Sequence, residues 1–177
     1  MADLTQLRMT AAEFLALPES DVLMQLIDGE VVVSPTPIPY HQKLLFRLAK
    51  LVDRLIPNGD VIVSPMDVHF DDGAVFQPDF FWVAQNSRCL EQTHYYLGPP
   101  ELVVEIISPS TAKYDRGDKF RSYQRHGVAE YWIVEKTFLE VWVLDGDHTI
   151  QQGIYEEGDT FASNILGRDV TLKETFD

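Results

Sequence analysis

Leu102-Val-Val-Glu-Ile-Ile107 is the stretch on which the fold turns. Apart from Glu105 it is apolar without alternation, the pattern of a central strand covered on both faces. On its C-terminal side, Ser108-Pro-Ser-Thr111 predicts the opening of a helix over about 112–126. Gly127 then supplies the stop, and residues 131–135 predict another strand. Upstream, Leu44, Leu48, Leu51 and Leu55, with Leu45 and Val52 beside them, recur at helical spacing over residues 41–56. Strands are predicted over 61–70 and 79–83, separated by an Asp71-Asp72-Gly73 turn, with a polar connection over 85–100. The order is helix, strand, strand, strand, helix, strand. It predicts an α/β fold with a mixed central sheet and helices on its faces.

Two further hairpins flank this core. Thr10-Ala-Ala-Glu13 is a capping box that starts a short helix before Pro18. Residues 25–33 then fold back at Asp28-Gly29, and the proline-locked loop Ser34-Pro-Thr-Pro-Ile-Pro39 follows. Residues 139–144 and 149–155 flank Asp145-Gly146 as a second hairpin, and the remainder reads as edge structure and a tail. With 177 residues the chain suits one domain. Residues 1–40 form an N-terminal helix and hairpin extension, 41–135 the core, and 136–177 a C-terminal hairpin and tail.

Composition narrows the function classes. Residues 1–6 lack the basic segment and apolar run of a secretory signal. No stretch approaches the roughly 20 apolar residues that span a bilayer, so no membrane partner is expected. The lone cysteine, Cys89, excludes an internal disulfide and a thiolate zinc cluster. These features together predict a cytoplasmic protein. The net charge of −14 opposes a uniform attraction to nucleic acid. Residues 43–54 and 111–126 are locally basic, however, and two such helices would give either a phosphate-facing groove or ordinary solvated faces.

Glu105 is the residue out of place. A carboxylate in a buried strand is costly unless it is paired, protonated or bound to a metal. Asp79 raises the same question, since Pro78 leads through it into Phe80, Phe81, Trp82 and Val83. Taken singly, Asp79 also suits a strand start after proline, and Glu105 an ion pair with a covering helix. Together they suggest more. Acids on neighbouring strands lie about 4.8 Å apart and tend to share a proton or a cation. Mg²⁺ or Mn²⁺ suits one Asp, one Glu and a backbone carbonyl, that of Ile106. Asp115, Lys119 and Tyr123 share a helix face. That spacing places Lys119 at the margin of the buried face, reaching either for the strand acids or only for Asp115.

Pro78-Asp79, Val104-Glu-Ile-Ile-Ser-Pro-Ser-Thr111, Asp115-x-x-x-Lys119-x-x-x-Tyr123 and Gly127-Val-Ala-Glu-Tyr-Trp-Ile-Val134 together resemble the Uma-two family of restriction-endonuclease-like proteins, in the PD-(D/E)XK nuclease superfamily. The resemblance implies the superfamily's αβββαβ core and a metal-dependent endonuclease acting on DNA. It implies Asp79 and Glu105 as metal-binding acids and Lys119 as the catalytic lysine. The superfamily lysine usually stands two residues after the second acid, where this chain has Ile107, so the amine would come from the next helix. One departure is clear. The family pattern Tyr-Glu-Leu-Ile-Asp-Gly-Glu is here Met24-Gln25-Leu-Ile-Asp-Gly-Glu30, so a supporting acid has become Gln25 and cation affinity should fall. His41 matches a family histidine that opens the long helix, as a phosphate contact or a cap. The alternative is a catalytically weak, homodimeric binding or regulatory module on the same fold. Hydrolysis of another phosphate ester is a third reading.

Overall fold

The computed structural model describes residues 8–18, 21–71 and 73–176. Thr10 caps helix α1 (Ala11–Leu15): its hydroxyl accepts the Glu13 N–H, and the Glu13 carboxylate accepts the Thr10 N–H in return. Strands β1 (Met24–Ile27) and β2 (Glu30–Val33) form the expected antiparallel hairpin, turning through positive φ at Asp28 and Gly29. Helix α2 (Pro39–Asp53) starts on a proline, whose missing N–H costs nothing at the first helical position. The single strand predicted over 61–70 is two strands in different sheets, β3 (Asp60–Val63) and β4 (Val68–Asp71). Pro65 has no N–H to continue a ladder, and the chain changes sheet there. Asp72, in the predicted turn, and residues 1–6 lie outside the described residues.

Strand β5 (Ala74–Phe76) pairs antiparallel with β4, and β6 (Phe80–Val83) begins one residue after Asp79 rather than on it. The connection predicted over 85–100 contains two short strands, β7 (Leu90–Glu91) and β8 (Tyr96–Leu97). Then come β9 (Leu102–Ile106), the short helix α3 (Ala112–Asp115), α4 (Asp118–His126) and β10 (Glu130–Val134). Strands β11 (Phe138–Asp145) and β12 (His148–Glu156) make the expected hairpin. The predicted tail folds as another, β13 (Thr160–Ser163) with β14 (Arg168–Thr171). No helix among the described residues is long and apolar enough to cross a membrane.

The central sheet runs β12-β11-β10-β9-β6-β3, and only β9 and β10 are parallel within it. Elements α2, β3, β6, β9, α3–α4 and β10 realise the helix–strand order read from the sequence. Every residue of β9 is buried, at about 1.5–3 kcal/mol for each large apolar side chain so covered. Alternation divides the burial. Phe80, Trp82, Leu102, Val104 and Trp132 face α2 and the β13–β14 hairpin, whose Phe161, Val170 and Leu172 complete that core. Phe81, Val103, Tyr131 and Ile133 face Tyr123 of α4 and the second sheet, β2-β1-β5-β4-β8-β7. Helices α2 and α4 therefore pack on opposite faces. The basic side chains of residues 43–54 do not line the cleft that Lys119 lines.

The helix predicted over 112–126 is broken at Gly117 into α3 and α4. A Cβ on Gly117 would lie 2.5 Å from the Lys113 carbonyl oxygen, so only glycine fits. Gly→Ala within a helix ordinarily gains about 1 kcal/mol. Here Gly117→Ala is expected to cost about 1–3 kcal/mol instead, as other overpacked sites do. A urea midpoint at or above the parent's would show that the break is not held by this contact.

Candidate active site

The antiparallel register of β6 and β9 pairs Phe80 with Val104. One step further out, Asp79 meets Glu105. Each acid is gripped by the other's strand: the Ile106 N–H donates to Asp79 Oδ2 at 2.6 Å, and the Asp79 N–H donates to Glu105 Oε2 at 3.4 Å. The sequence expectation of two acids side by side on neighbouring strands is met by this reciprocal clamp. Because β9 is central, Glu105 is held deep, its side chain 5% exposed against 18% for Asp79.

Helices α3 and α4 supply the counter-charge. Lys119 Nζ lies 2.8 Å from Glu105 Oε1 and 3.1 Å from Asp115 Oδ1, so both alternatives for its partner hold at once. The sequence placed Lys119 at the margin of the buried face; it is fully buried, 3% exposed. The break at Gly117 leaves Asp115 and Lys119 one turn apart yet both aimed at the strand. Tyr123 donates its hydroxyl to the same Glu105 oxygen at 2.7 Å. Burial pushes the Glu105 carboxyl up to about 7; the Lys119 ammonium opposes the rise, while Asp115 and Asp79 add to it. Burial alone would lower Lys119, but the charges of Glu105 and Asp115 hold it above its ordinary value, so it stays an ammonium. Burial and the neighbouring Glu105 raise Tyr123 well above its usual range, so it remains a donor.

His41 is the third residue of α2. The cap position belongs to Ile38, which gives no side-chain hydrogen bond, so the capping role does not apply to His41. Its Nε2 instead lies 3.2 Å from both Asp79 carboxylate oxygens. Burial lowers this imidazole, but the hydrogen bond and charge of Asp79, with Glu105 beyond, hold it above its usual value. Gln25, on β1, lines the same cleft. Its amide donates to Ser34 Oγ at 2.8 Å and its carbonyl accepts the Gln77 N–H at 2.9 Å. The sequence reading missed Ser34 and Gln77; the nearness of Gln77 to Asp79 in the chain was the signal available. All seven predicted side chains, Gln25, His41, Asp79, Glu105, Asp115, Lys119 and Tyr123, thus converge on one region.

The donor set suits some cations and not others. Among the described residues no three His, Cys, Asp or Glu side chains make a metal cage, so a zinc-type site does not fit. Mg²⁺ needs only one or two carboxylates and keeps its waters. Asp79 and Glu105 provide that pair. The Ile106 N–H lies on the Asp79 side of its strand, and its carbonyl shares that side. Three carboxylates, Asp79, Glu105 and Asp115, meet here against one ammonium and one imidazole. That balance favours a further cation.

Residues 11–173 match the Uma2 (Uma-two) family, described as "Putative restriction endonuclease". Two proteins of Synechocystis sp. (strain ATCC 27184 / PCC 6803 / Kazusa) are similar. Uncharacterized protein slr1290 is 38% identical over 151 residues, covering 81% of this chain and 77% of its own length. Uncharacterized protein sll1609 is 26% identical over 133 residues, covering 72% and 75%. Among solved structures, one described as "a putative nuclease belonging to DUF820", from Anabaena variabilis ATCC 29413, shares the fold with a TM-score of 0.77. It is 17% identical, over 95% of this chain and 97% of that one.

Proposed function

We propose, for a chain that belongs to the Uma2 family, that the cleft over Asp79 and Glu105 is a metal-dependent nuclease site hydrolysing DNA phosphodiester bonds. The observation that carries this reading is the reciprocal clamp of the two acids with the Lys119 ammonium set against Glu105. Asp79, Glu105 and the Ile106 carbonyl are the groups to hold Mg²⁺ or Mn²⁺. When bound there, the ion supplies Lewis-acid polarisation at the phosphodiester. Lys119 is charged and therefore is not a general base. It is a fixed cation that offsets negative charge developing on the phosphate and orients a water for in-line attack. Asp115 keeps that ammonium charged and in place. Tyr123 fixes the Glu105 carboxylate by donating to it, and His41 does the same for Asp79. Their hydrogen bonds set the rotamers before substrate arrives, so little reorganisation is left for the reaction itself.

The test is cleavage of labelled DNA by the full chain with Mg²⁺ or Mn²⁺ and with chelator. Cleavage that depends on the divalent ion and vanishes in Asp79→Asn is the expected result. Cleavage by neither ion would remove the reading.

Gln25 has a separate consequence. It keeps the bonds to Ser34 and Gln77 but adds no charge to the cleft. Gln25→Glu retains the acceptor for the Gln77 N–H, and the Ser34 hydroxyl turns to donate. The added carboxylate should tighten Mn²⁺ binding by about tenfold, roughly 1.4 kcal/mol, as read by titration calorimetry. Equal affinities would show that residue 25 acts only as a brace between β1 and the 77–79 segment.

A further inference from the structure

Resting on the nuclease reading above, we propose that the cleft takes single-stranded nucleic acid, with unstacked nucleosides on either side of Lys119, rather than the flank of an intact duplex.

Three observations lead there. The first is shape. The acids sit in a cavity of about 480 Å³, and an adjoining hollow of about 210 Å³ shares Gln25, Ser34, Asp115 and Lys119 with it. Two hollows that share Lys119 in their lining leave room for a nucleoside on either side of it. The second is charge. The cationic side chains lining the cavity are His41 and Lys119, and both are committed to acids. The arginines of the α3–α4 region are committed as well: Arg116 to Glu135 and Glu140, Arg121 to Asp118, Arg125 to Asp71. Duplex binding rests almost wholly on lysines and arginines that track the phosphates, whereas an unpaired strand, with fewer phosphates to meet, also binds through its exposed bases. Among the described residues lining this cleft, on a chain of net charge −14, both cations are already paired with acids.

The third observation is the rim. Pro35, Pro37, Pro65 and Pro109 stand around the cavity with the hydroxyls of Ser64 and Ser108. Two large apolar side chains on the rims are left open to solvent, Ile38 at 63% and Val33 at 58%. Such a surface suits base faces and sugar edges, which an unpaired strand displays and a stacked duplex hides. Binding without tracking cations also predicts a shallow salt dependence.

The experiment compares a labelled strand of about 12 nucleotides with the same strand annealed to its complement. Anisotropy in chelator reads binding, and gels with Mn²⁺ read cleavage. The expected result is at least about tenfold tighter binding and faster cutting of the single strand. Its affinity should change by less than about tenfold between 50 and 200 mM salt, where a protein with many phosphate contacts loses a thousandfold or more. Ile38→Ser should weaken strand binding several-fold. The helix is not at risk in that variant, because Ile38 holds the N-cap position without capping it and serine is a good cap. Duplex bound and cut as well as single strand would overturn the inference and leave the nuclease reading intact. Strand bound tightly but neither form cut would remove the nuclease reading and uphold the binding preference. No binding and no cutting would overturn both.

Discussion

Lys119→Met is expected to abolish cleavage and, once pH rises above about 7, to destabilise the fold by about 3–5 kcal/mol, the loss that follows when one partner of a buried ion pair is left charged and alone. The methionine keeps most of the volume, so the loss is electrostatic: Glu105 and Asp115 remain buried, 4% and 2% exposed, without their cation. The effect should depend on pH. Burial holds the Glu105 carboxyl at about 7 even against the ammonium, and removing the ammonium raises it further. A carboxyl whose folded value exceeds its unfolded one, ordinarily 4.5, favours the folded state while protonated. That contribution is fully present below the unfolded value and is lost as pH rises through the folded one. Parent and variant lose it alike up to about pH 7, and above that only the variant goes on losing it, so the gap should be small in acid and widen as pH rises beyond about 7. Urea melts across that range measure it. A gap that stays constant would mean Lys119 contributes only packing, and a variant that cuts like the parent would remove its catalytic role.

The second large effect is the response of Asp79→Asn to metal. Two like charges across neighbouring strands would by themselves make the metal-free variant the more stable form. His41 changes that expectation, because its imidazole already faces both Asp79 oxygens. Asparagine keeps an acceptor for the Ile106 N–H but loses the charged partner of His41. The metal-free proteins should therefore differ little. At about 100 times its dissociation constant, Mg²⁺ or Mn²⁺ should stabilise the parent by roughly 2.7 kcal/mol and the variant hardly at all. Paired urea melts with chelator and with excess ion decide the matter. Equal destabilisation in both conditions would make Asp79 a structural hydrogen-bonding residue.

The sequence was most legible where one residue type broke a strong pattern. Glu105 within an apolar strand and Asp79 after proline pointed to the cleft where the two acids meet, because a buried charge without a partner is expensive. The helix face carrying Asp115, Lys119 and Tyr123 followed from spacing alone. Lys119's depth did not: it depends on α4 packing against β9, and periodicity does not say what a helix face meets. The same blindness left open whether the two basic stretches share a groove or are solvated faces, because only the packing puts α2 and α4 on opposite faces of the sheet. Pro65 was a readable signal of the strand break, obscured by the apolar residues on either side. The break at Gly117 was less readable, since one glycine is usually tolerated within a helix. The β13–β14 hairpin escaped because Phe161, Val170 and Leu172 are widely spaced in the chain and meet only after folding.

The clamp between Asp79 and Glu105 also bears on how this chain tolerates changes of length. A single inserted residue within β6 or β9 shifts one flank of the strand against its neighbour and turns those side chains to the opposite face; where the flank that moves holds Asp79 or Glu105, that carboxylate leaves the cleft. No rotamer change can restore it, since each acid is tied to a backbone amide of the facing segment. The same insertion in the exposed turn at 92–94, between β7 and β8, lengthens a surface path and leaves the pairing of β6 with β9 untouched. Scanning the gene with one-codon insertions should therefore show two short silent windows, around 79–83 and 102–106, separated by a permissive stretch, with the boundaries set by strand pairing rather than by distance from the chemistry.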